Sequence, residues 1–259
     1  PFKQILSHLN EYRFGQVKRF NTVHTNVKEF NELNANFESM IARNEKVFDD
    51  QKRFLENASH ELQTPLAITI HKLELLLADE SLREDQLVKI AETKSSLHRM
   101  VNLNKALLML SRIDNDQYNS TEEVNCNAIM RTVLEELQEI IDYKHIHLQF
   151  NSHADFRGHM NANLITILFS NLIRNAIKYN EAGGEIVVDI YEKELYISNT
   201  ATAGALNPEY IFERFYKGKQ DNQSNGLGLS IVQSILSKYP FLQLAYLFSD
   251  NKHIFSIKK

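Results

Sequence analysis

Apolar residues return at steps of seven along the first part of the chain. Val23, Phe30 and Phe37, and then Val47 and Phe54, follow this interval, and Leu33, Met40 and Val47 form a companion row. A seven-residue interval is the signature of a coiled-coil seam, and Asn44 is a polar interruption of the first row. Two helices are predicted, roughly over 1–13 and 24–45, with Gly15 and mixed polar residues between Phe14 and Asn21 as a connector. The second helix runs on, because the apolar series continues through Leu55, Leu62, Leu66, Leu73 and Leu76. A polar turn, ADESLRE at 78–84, precedes another helix carrying Leu87, Ile90, Leu97, Val101, Leu108 and Leu110. The resulting helical hairpin has an apolar stripe too wide for one hairpin to cover, which predicts pairing of two copies into a four-helix bundle. A fully buried Leu contributes about 1.5–3 kcal/mol, so such a stripe would hold two copies firmly.

Residues 113–123 (IDNDQYNSTEE) are polar and read as a linker. Beyond them the period changes. Helices are predicted over 126–143, 161–180 and from Gly228. Strands are predicted over 145–150, 185–191, 194–198, 243–248 and 253–257, with Gly183–Gly184 as a turn. Helices beside a mixed sheet make a two-layer α/β unit.

Composition narrows the choices. A chain of 259 residues exceeds the usual single core. Its 43% hydrophobic and 24% charged residues are ordinary for a globular protein. The net charge of −4, from 29 basic and 33 acidic residues without a long basic run, argues against a nucleic-acid groove. Eight glycines and four prolines fit long uninterrupted helices better than many tight turns. The one cysteine, Cys126, excludes an intramolecular disulfide and a cysteine-built metal site, and suggests a reducing compartment. No apolar run reaches the roughly 18 residues that a membrane span requires. Pro1, without a methionine, suggests a piece of something longer.

Three segments carry chemistry. In FLENASHELQTPLAI (54–68), a helix exposes His60 and Glu61 as neighbours, sets Thr64 one turn after His60, and loses one hydrogen bond at Pro65, where it should bend. A neutral imidazole is a nucleophile near pH 7, and an adjacent carboxylate can orient it. In NLIRNAIKYN (171–180), Asn171, Asn175 and Lys178 share a helix face while Leu172, Ile173, Ala176 and Ile177 pack inward. An Asn amide oxygen is a neutral hard ligand for Mg²⁺, Lys178 can pair with phosphate, and Tyr179 offers a ring to a base. In NGLGLSIVQSI (225–235), Gly226 and Gly228 precede a helix whose free N–H groups and dipole can face phosphate oxygens.

The first segment resembles the phosphoacceptor segment of sensor histidine kinases, with His60, Glu61, Thr64 and Pro65 at the family's spacing. The resemblance implies phosphorylation of His60, Glu61 as its base or orienting group, and Thr64 positioning water for dephosphorylating the partner. The second and third segments resemble the asparagine box and second glycine box of the same kinases' ATP-binding fold, shared with gyrase-type ATPases. Carried over, Asn175 is the Mg²⁺ ligand, Asn171 and Lys178 contact phosphates, Tyr179 borders the adenine, and Gly226, Leu227 and Gly228 form the phosphate turn. IFERFYKGK (211–219) resembles the phenylalanine box. Phe212 and Phe215, at helical spacing, would anchor a lid over 218–224, and Phe215 and Lys217 would line the nucleotide. The family's Asp-x-Gly-x-Gly box is altered: ISNTATAGALNPEY (197–210) has Asn199 at the aspartate position and Ala201 at the first glycine, with Gly204 as a displaced turn residue. Asn199 can still accept a bond from the adenine amino group, without charge assistance, so weaker ATP affinity or altered base selectivity is expected.

The N-terminal part resembles a HAMP signal-relay domain at Pro1 and at EFNELNANFESM (29–40), with a plain coiled coil as the alternative. The expected domains are a HAMP-like or coiled-coil relay over 1–45, a dimerisation and histidine-phosphotransfer hairpin over 46–113, a linker over 114–123, and an ATP-binding domain over 124–259. The expected partners are a second copy and the receiver domain of a response regulator, with a membrane anchor preceding Pro1 and this chain on the cytoplasmic side. The activity expected is autophosphorylation by ATP–Mg²⁺ and transfer to an aspartate of the regulator, with phosphatase activity as a variant. A scaffold that keeps the fold but phosphorylates nothing is the alternative, supported by the altered glycine box.

Overall fold

The computed structural model describes residues 27–79, 81–114, 117–118, 120–217 and 225–259. The predicted helix over 1–13 with its connector, and the lid over 218–224, lie outside the described residues. The chain divides into two compact units, one of residues up to Ala91 with 114–117, the other of residues 92–113 and 118–259.

Helix α1 spans Lys28–Leu77, one element of 50 residues that crosses the expected boundary at residue 45. It contains no glycine and only Pro65 as a potential breaker. A short connection follows, in which the Asp79 carboxylate accepts from Ser81 N at 2.9 Å. Helix α2 spans Glu84–Asp114. One side-chain bond caps its start: Gln86 Oε1 accepts from Arg83 N at 3.0 Å, and Glu84 and Asp85 favour the positive end of the helix dipole. Along α1, Met40, Val47, Phe54, Leu62, Ile68 and Leu75 are all exposed within the one chain. Among the described residues no helix is long and apolar enough to cross a membrane.

The second unit contains strand β1 (Glu122–Asn125), helix α3 (Cys126–Tyr143), strands β2 (His147–Ser152) and β3 (Arg157–Met160), helix α4 (Ala162–Lys178), strands β4 (Glu185–Ile190) and β5 (Glu194–Thr200), helix α5 (Gly228–Leu236), and strands β6 (Gln243–Ser249) and β7 (Lys252–Lys258). Five strands form a sheet in the order β2-β4-β5-β7-β6, with β2 parallel to β4 and the other pairs antiparallel. The three helices lie against it as the second layer. Alternation sorts the strands: Ile186, Val188 and Ile190 of β4, Leu195 and Ile197 of β5, and Phe255 and Ile257 of β7 are buried with Leu164, Leu168, Leu172 and Ile173 of α4. Asn125 and Asn161 cap α3 and α4, accepting from Asn127 N at 3.0 Å and Leu164 N at 3.1 Å. The β6–β7 hairpin closes on Asp250 and Asn251 at φ 49° and 56°, the double left-handed turn that matches strand twist.

Two features differ from the sequence reading. Strands β1 and β3 pair into a small separate sheet, so Glu122 and Glu123, placed in the linker, are strand residues. Their polar character hid them, since only Val124 of β1 is buried. The last turns of α2 also belong to the second unit: Leu110 and Ile113, each 1% exposed, sit in its core, and Leu103, Ala106 and Met109 pack on it.

His253 and Ser256 are the buried polar residues of β7, and His253 is the titratable one. Its Nδ1 stands 2.8 Å from the Tyr246 hydroxyl, which accepts from Leu206 N at 3.0 Å. Burial lowers the pKa of His253 below 6.5, so it is neutral at pH 7, and burial raises that of Tyr246.

Ile113→Ala should destabilise the second unit by about 2–5 kcal/mol in denaturant unfolding, although the residue lies in the expected hairpin. The unfolded chain also binds a proton on His253 more readily than the folded one, so stability rises with pH across that window. Melting temperature should therefore fall as pH drops below 6.5, and His253→Phe should flatten this dependence.

Candidate active site

In the first unit, His60, Glu61, Thr64 and Pro65 are all exposed on α1, while Ser59 beside them is buried. The helix continues through Pro65, which offers no N–H to the Glu61 carbonyl. Thr69 Oγ1 donates to Pro65 O at 2.7 Å, one turn beyond the Glu61 carbonyl that the proline deprives of its helical donor. What the sequence grouped, the helix presents together: an accessible imidazole, an adjoining carboxylate and a hydroxyl one turn on.

In the second unit the site grows from α4. Leu164, Ile165, Leu168, Phe169, Leu172, Ile173, Ala176 and Ile177 are its buried face. Asn171 and Asn175 are half-buried beside that face and Lys178 is exposed at the end. Asn171 Nδ2 donates to Ile167 O at 2.8 Å, which commits its nitrogen and leaves the oxygen pointing elsewhere. A methyl group built on Gly228 would stand 3.4 Å from Asn171 Oδ1, so the first turn of α5 lies against the asparagine segment. Lys178 Nζ lies 5.1 Å from the centroid of the Tyr179 ring, within cation–π range. Lys144 Nζ donates to Ile177 O at 3.0 Å and satisfies a carbonyl at the end of α4.

The two glycines before α5 have different reasons to be glycine. Gly226 has φ 65°, and a Cβ there would stand 2.6 Å from Tyr216 O and 2.7 Å from Phe215 C. Phe215 N donates to Gly226 O at 2.9 Å, so the phenylalanine segment and the glycine turn touch backbone to backbone. Only glycine satisfies both demands. Gly228 is not crowded, since its nearest neighbour is at ordinary contact distance. Leu227, between them, is buried at 2% and anchors the turn in the core.

One sequence expectation is corrected here. Phe212 and Phe215 do not share a helix face. Residues 208–215 form turns, Phe215 adopts φ 66° and is exposed, and Phe212 alone packs on the core. The close approach to Gly226 pulls the Phe215 backbone into the left-handed region and its ring out to solvent. Lys217 is exposed next to it.

Asn199 ends β5 on the buried face, 3% exposed, with His253 directly across on β7. Its Nδ2 donates to Thr200 O at 2.9 Å and reaches Tyr179 O at 3.4 Å. Thr202 N and Oγ1 also meet Tyr179 O, each at 3.3 Å. The sequence reading missed Thr202, Tyr246 and His253. The alternation of β7 was a usable signal for His253, because it shares parity with Phe255 and Ile257. Among the described residues no cluster of three His, Cys, Asp or Glu could hold a metal ion. A neutral amide oxygen, such as that of half-buried Asn175, is a donor type that fits a Mg²⁺ held mostly by water and phosphate.

Comparison with known proteins gives two matches along the chain. Residues 50–116 match the His Kinase A (phospho-acceptor) domain, and residues 160–241 match the histidine kinase-, DNA gyrase B- and HSP90-like ATPase domain. The chain is 35% identical over 215 residues to the Heme sensor protein HssS of Staphylococcus haemolyticus, covering 80% of this chain and 46% of that one. It is 32% identical over 220 residues to HssS of Staphylococcus saprophyticus, covering 82% and 47%. The chain thus spans about half the length of these relatives. The crystal structure of full-length ShkA in complex with AMPPNP has the same fold over 80% of this chain and 46% of that one, with a TM-score of 0.57 and 19% identity. With a phospho-acceptor domain followed by an ATP-binding domain on one polypeptide, the chain belongs to the sensor histidine kinases.

Proposed function

We propose that this chain autophosphorylates on His60 with ATP and passes the phosphoryl group to an aspartate of a response-regulator receiver domain. The observation that carries the reading is the pairing, in one chain, of an exposed imidazole next to a carboxylate with a glycine turn set against an asparagine helix. The Nε2 lone pair of neutral His60 attacks the γ-phosphorus as the bond to the β,γ-bridging oxygen breaks and ADP leaves. Glu61 accepts the Nδ1–H bond and stabilises the positive ring that forms. Asn171, Lys178 and the Gly226–Gly228 turn hold the phosphates, and Tyr179 and Asn199 hold the base. Asn175 would hold Mg²⁺, which when bound neutralises charge on the phosphates. Such transfer rests on positioning and charge stabilisation.

The proposal extends to the assembly. The exposed apolar residues of α1 are to be covered by a second copy in a four-helix bundle, and the regulator docks near His60 with Thr64 orienting water for dephosphorylation. Domain limits near 45, 113 and 123, a HAMP-like relay before the hairpin, and a position at the cytoplasmic face of a membrane belong to the same proposal. A catalytically silent scaffold is less well supported, because Asn199 still presents an amide where the family has aspartate.

Labelled γ-phosphate from ATP should appear on the protein as an acid-labile, base-stable linkage, and His60→Ala should abolish it. Label persisting on His60→Ala would sink the assignment. Gly226→Ala should cost about 1–3 kcal/mol of strain at its left-handed position and lower nucleotide affinity in an ATP-analogue titration, whereas Gly228→Ala should fold normally.

A further inference from the structure

Strand β2 is an edge of the five-stranded sheet and pairs with β4 alone. His147 N donates to Gly184 O at 2.8 Å and His153 N to Ile190 O at 2.9 Å, so the odd-numbered residues turn their backbone groups toward β4. In a parallel pair the alternate residues face the other way. The N–H and C=O groups of Leu148 and Phe150 therefore point out of the sheet, and among the described residues they meet no partner. Helix α3 closes both ends of this opening. Ile146 N donates to Ile141 O at 3.1 Å, and Asn127 Nδ2 donates to Ser152 Oγ at 2.7 Å and to Ala154 O at 2.9 Å. Between the closures lies a groove of about 550 Å³, lined by Gln138 and Asp142 of α3, Ile146, and His147, Leu148 and Gln149 of β2.

Edge strands are ordinarily blunted by lysine, proline, a bulge or brevity. Strand β2 (HLQFNS) has six residues in unbroken register with β4 and none of these devices. The wall beside it is acidic: α3 exposes Glu135, Glu136, Glu139 and Asp142 against Arg131. Arg131 lies 5.8 Å from the Phe150 ring and Asp142 lines the groove, so helical spacing sets Glu135 and Gln138 on the row between them. Lys144 Nζ is turned to Ile177 O at 3.0 Å, and Lys252 is paired with Glu185 at 2.6 Å, so neither answers the charge of Glu135 or Asp142.

We propose that the open edge of β2 takes an extended segment of a partner protein as a sixth strand, with lysine or arginine at alternate positions toward α3. Its backbone pairs with the outward groups of Leu148 and Phe150, and its basic side chains meet Asp142 and Glu135. These carboxylates stand about 10 Å apart along the helix. Alternate residues of a strand are about 7 Å apart, within the reach of two long basic side chains. A second copy does not fit the same place. Its β2 would lie about 5 Å away, bringing along an α3 tied over that strand, whereas packed helices need roughly 8–10 Å between axes. The occupant is thus a bare extended segment, and its docking is independent of the proposed phosphotransfer.

The test titrates the whole chain into fluorescein-labelled Lys-Val-Lys-Val-Lys-Val, its Glu-Val counterpart, and the Lys-Val peptide methylated on alternate backbone nitrogens, reading anisotropy. The Lys-Val peptide should bind with a Kd of about 100 μM or tighter, the Glu-Val peptide roughly tenfold more weakly, and the methylated peptide not at all. Asp142→Lys should weaken the Lys-Val peptide roughly tenfold. Leu148→Pro should do the same, because it removes an outward N–H without touching the β4 ladder. No saturable binding, equal binding of the Glu-Val or methylated peptide, or unchanged affinity in either variant overturns the proposal. If Leu148→Pro does not fold, Asp142→Lys and the methylated peptide decide. Sedimentation showing a species larger than a dimer that Leu148→Pro disperses would give the edge to a second copy and equally overturn it.

Discussion

The nucleotide half of the chain depends on the amphipathic division of α4. Eight apolar side chains of this helix are buried, and that burial leaves it one stable rotation about its axis. With the rotation settled, Asn171, Asn175 and Lys178 stand in one row along the helix, and α5 can come to rest against Asn171. The ends of α4 are tied as well, by the Asn161 cap at the start and the Lys144 and Tyr179 contacts at the finish. The proposed phosphate site would benefit from such rigidity, because preorganised dipoles need no rearrangement when charge arrives.

The two halves of the chain solve opposite problems. The second unit buries its apolar residues internally, down to Leu110 and Ile113 from a helix that begins in the other half. The first leaves Phe54, Leu62 and Leu75 exposed along the helix that carries His60. Under the proposed function His60 has to be reached by a nucleotide and then by a partner protein, so it must stand clear of a core, and a long helix without glycine provides that placement. The apolar surface that goes with it is the physical ground for the proposed pairing of two copies.

Beyond β5, hydrogen bonds to distant segments hold a stretch of chain that has little regular structure. The segment after β5 is held by Ala201 N to Asn251 O, by Thr202 to Tyr179 O and by Leu206 N to the Tyr246 hydroxyl. Each of these is a directional bond to a group contributed by a distant part of the chain. Their cost is burial of neutral polar groups, above all His253, which titrates more easily when the unit opens.

Much of this was legible in the residues. Seven-residue spacing, few glycines and the long apolar series pointed to helical segments, and alternation over 145–150 with the change of period beyond 123 to strands beside helices. The order of His60, Asn171 and Gly226 along the chain was enough to divide phosphoacceptor from nucleotide site. Three things were decided by tertiary packing alone. Strands β1 and β3 became strands through pairing with each other, since neither carries enough apolar residues to show alternation. Phe215 left the helical pattern because Gly226 approaches its backbone more closely than any side chain permits. Asn199 acquired a direction from two carbonyls, one of them on the far side of a turn. Periodicity reports which face of an element is buried, and it does so from local sequence. Which backbone carbonyl a buried amide will meet depends on chain segments that sequence spacing does not bring together, and only folding does.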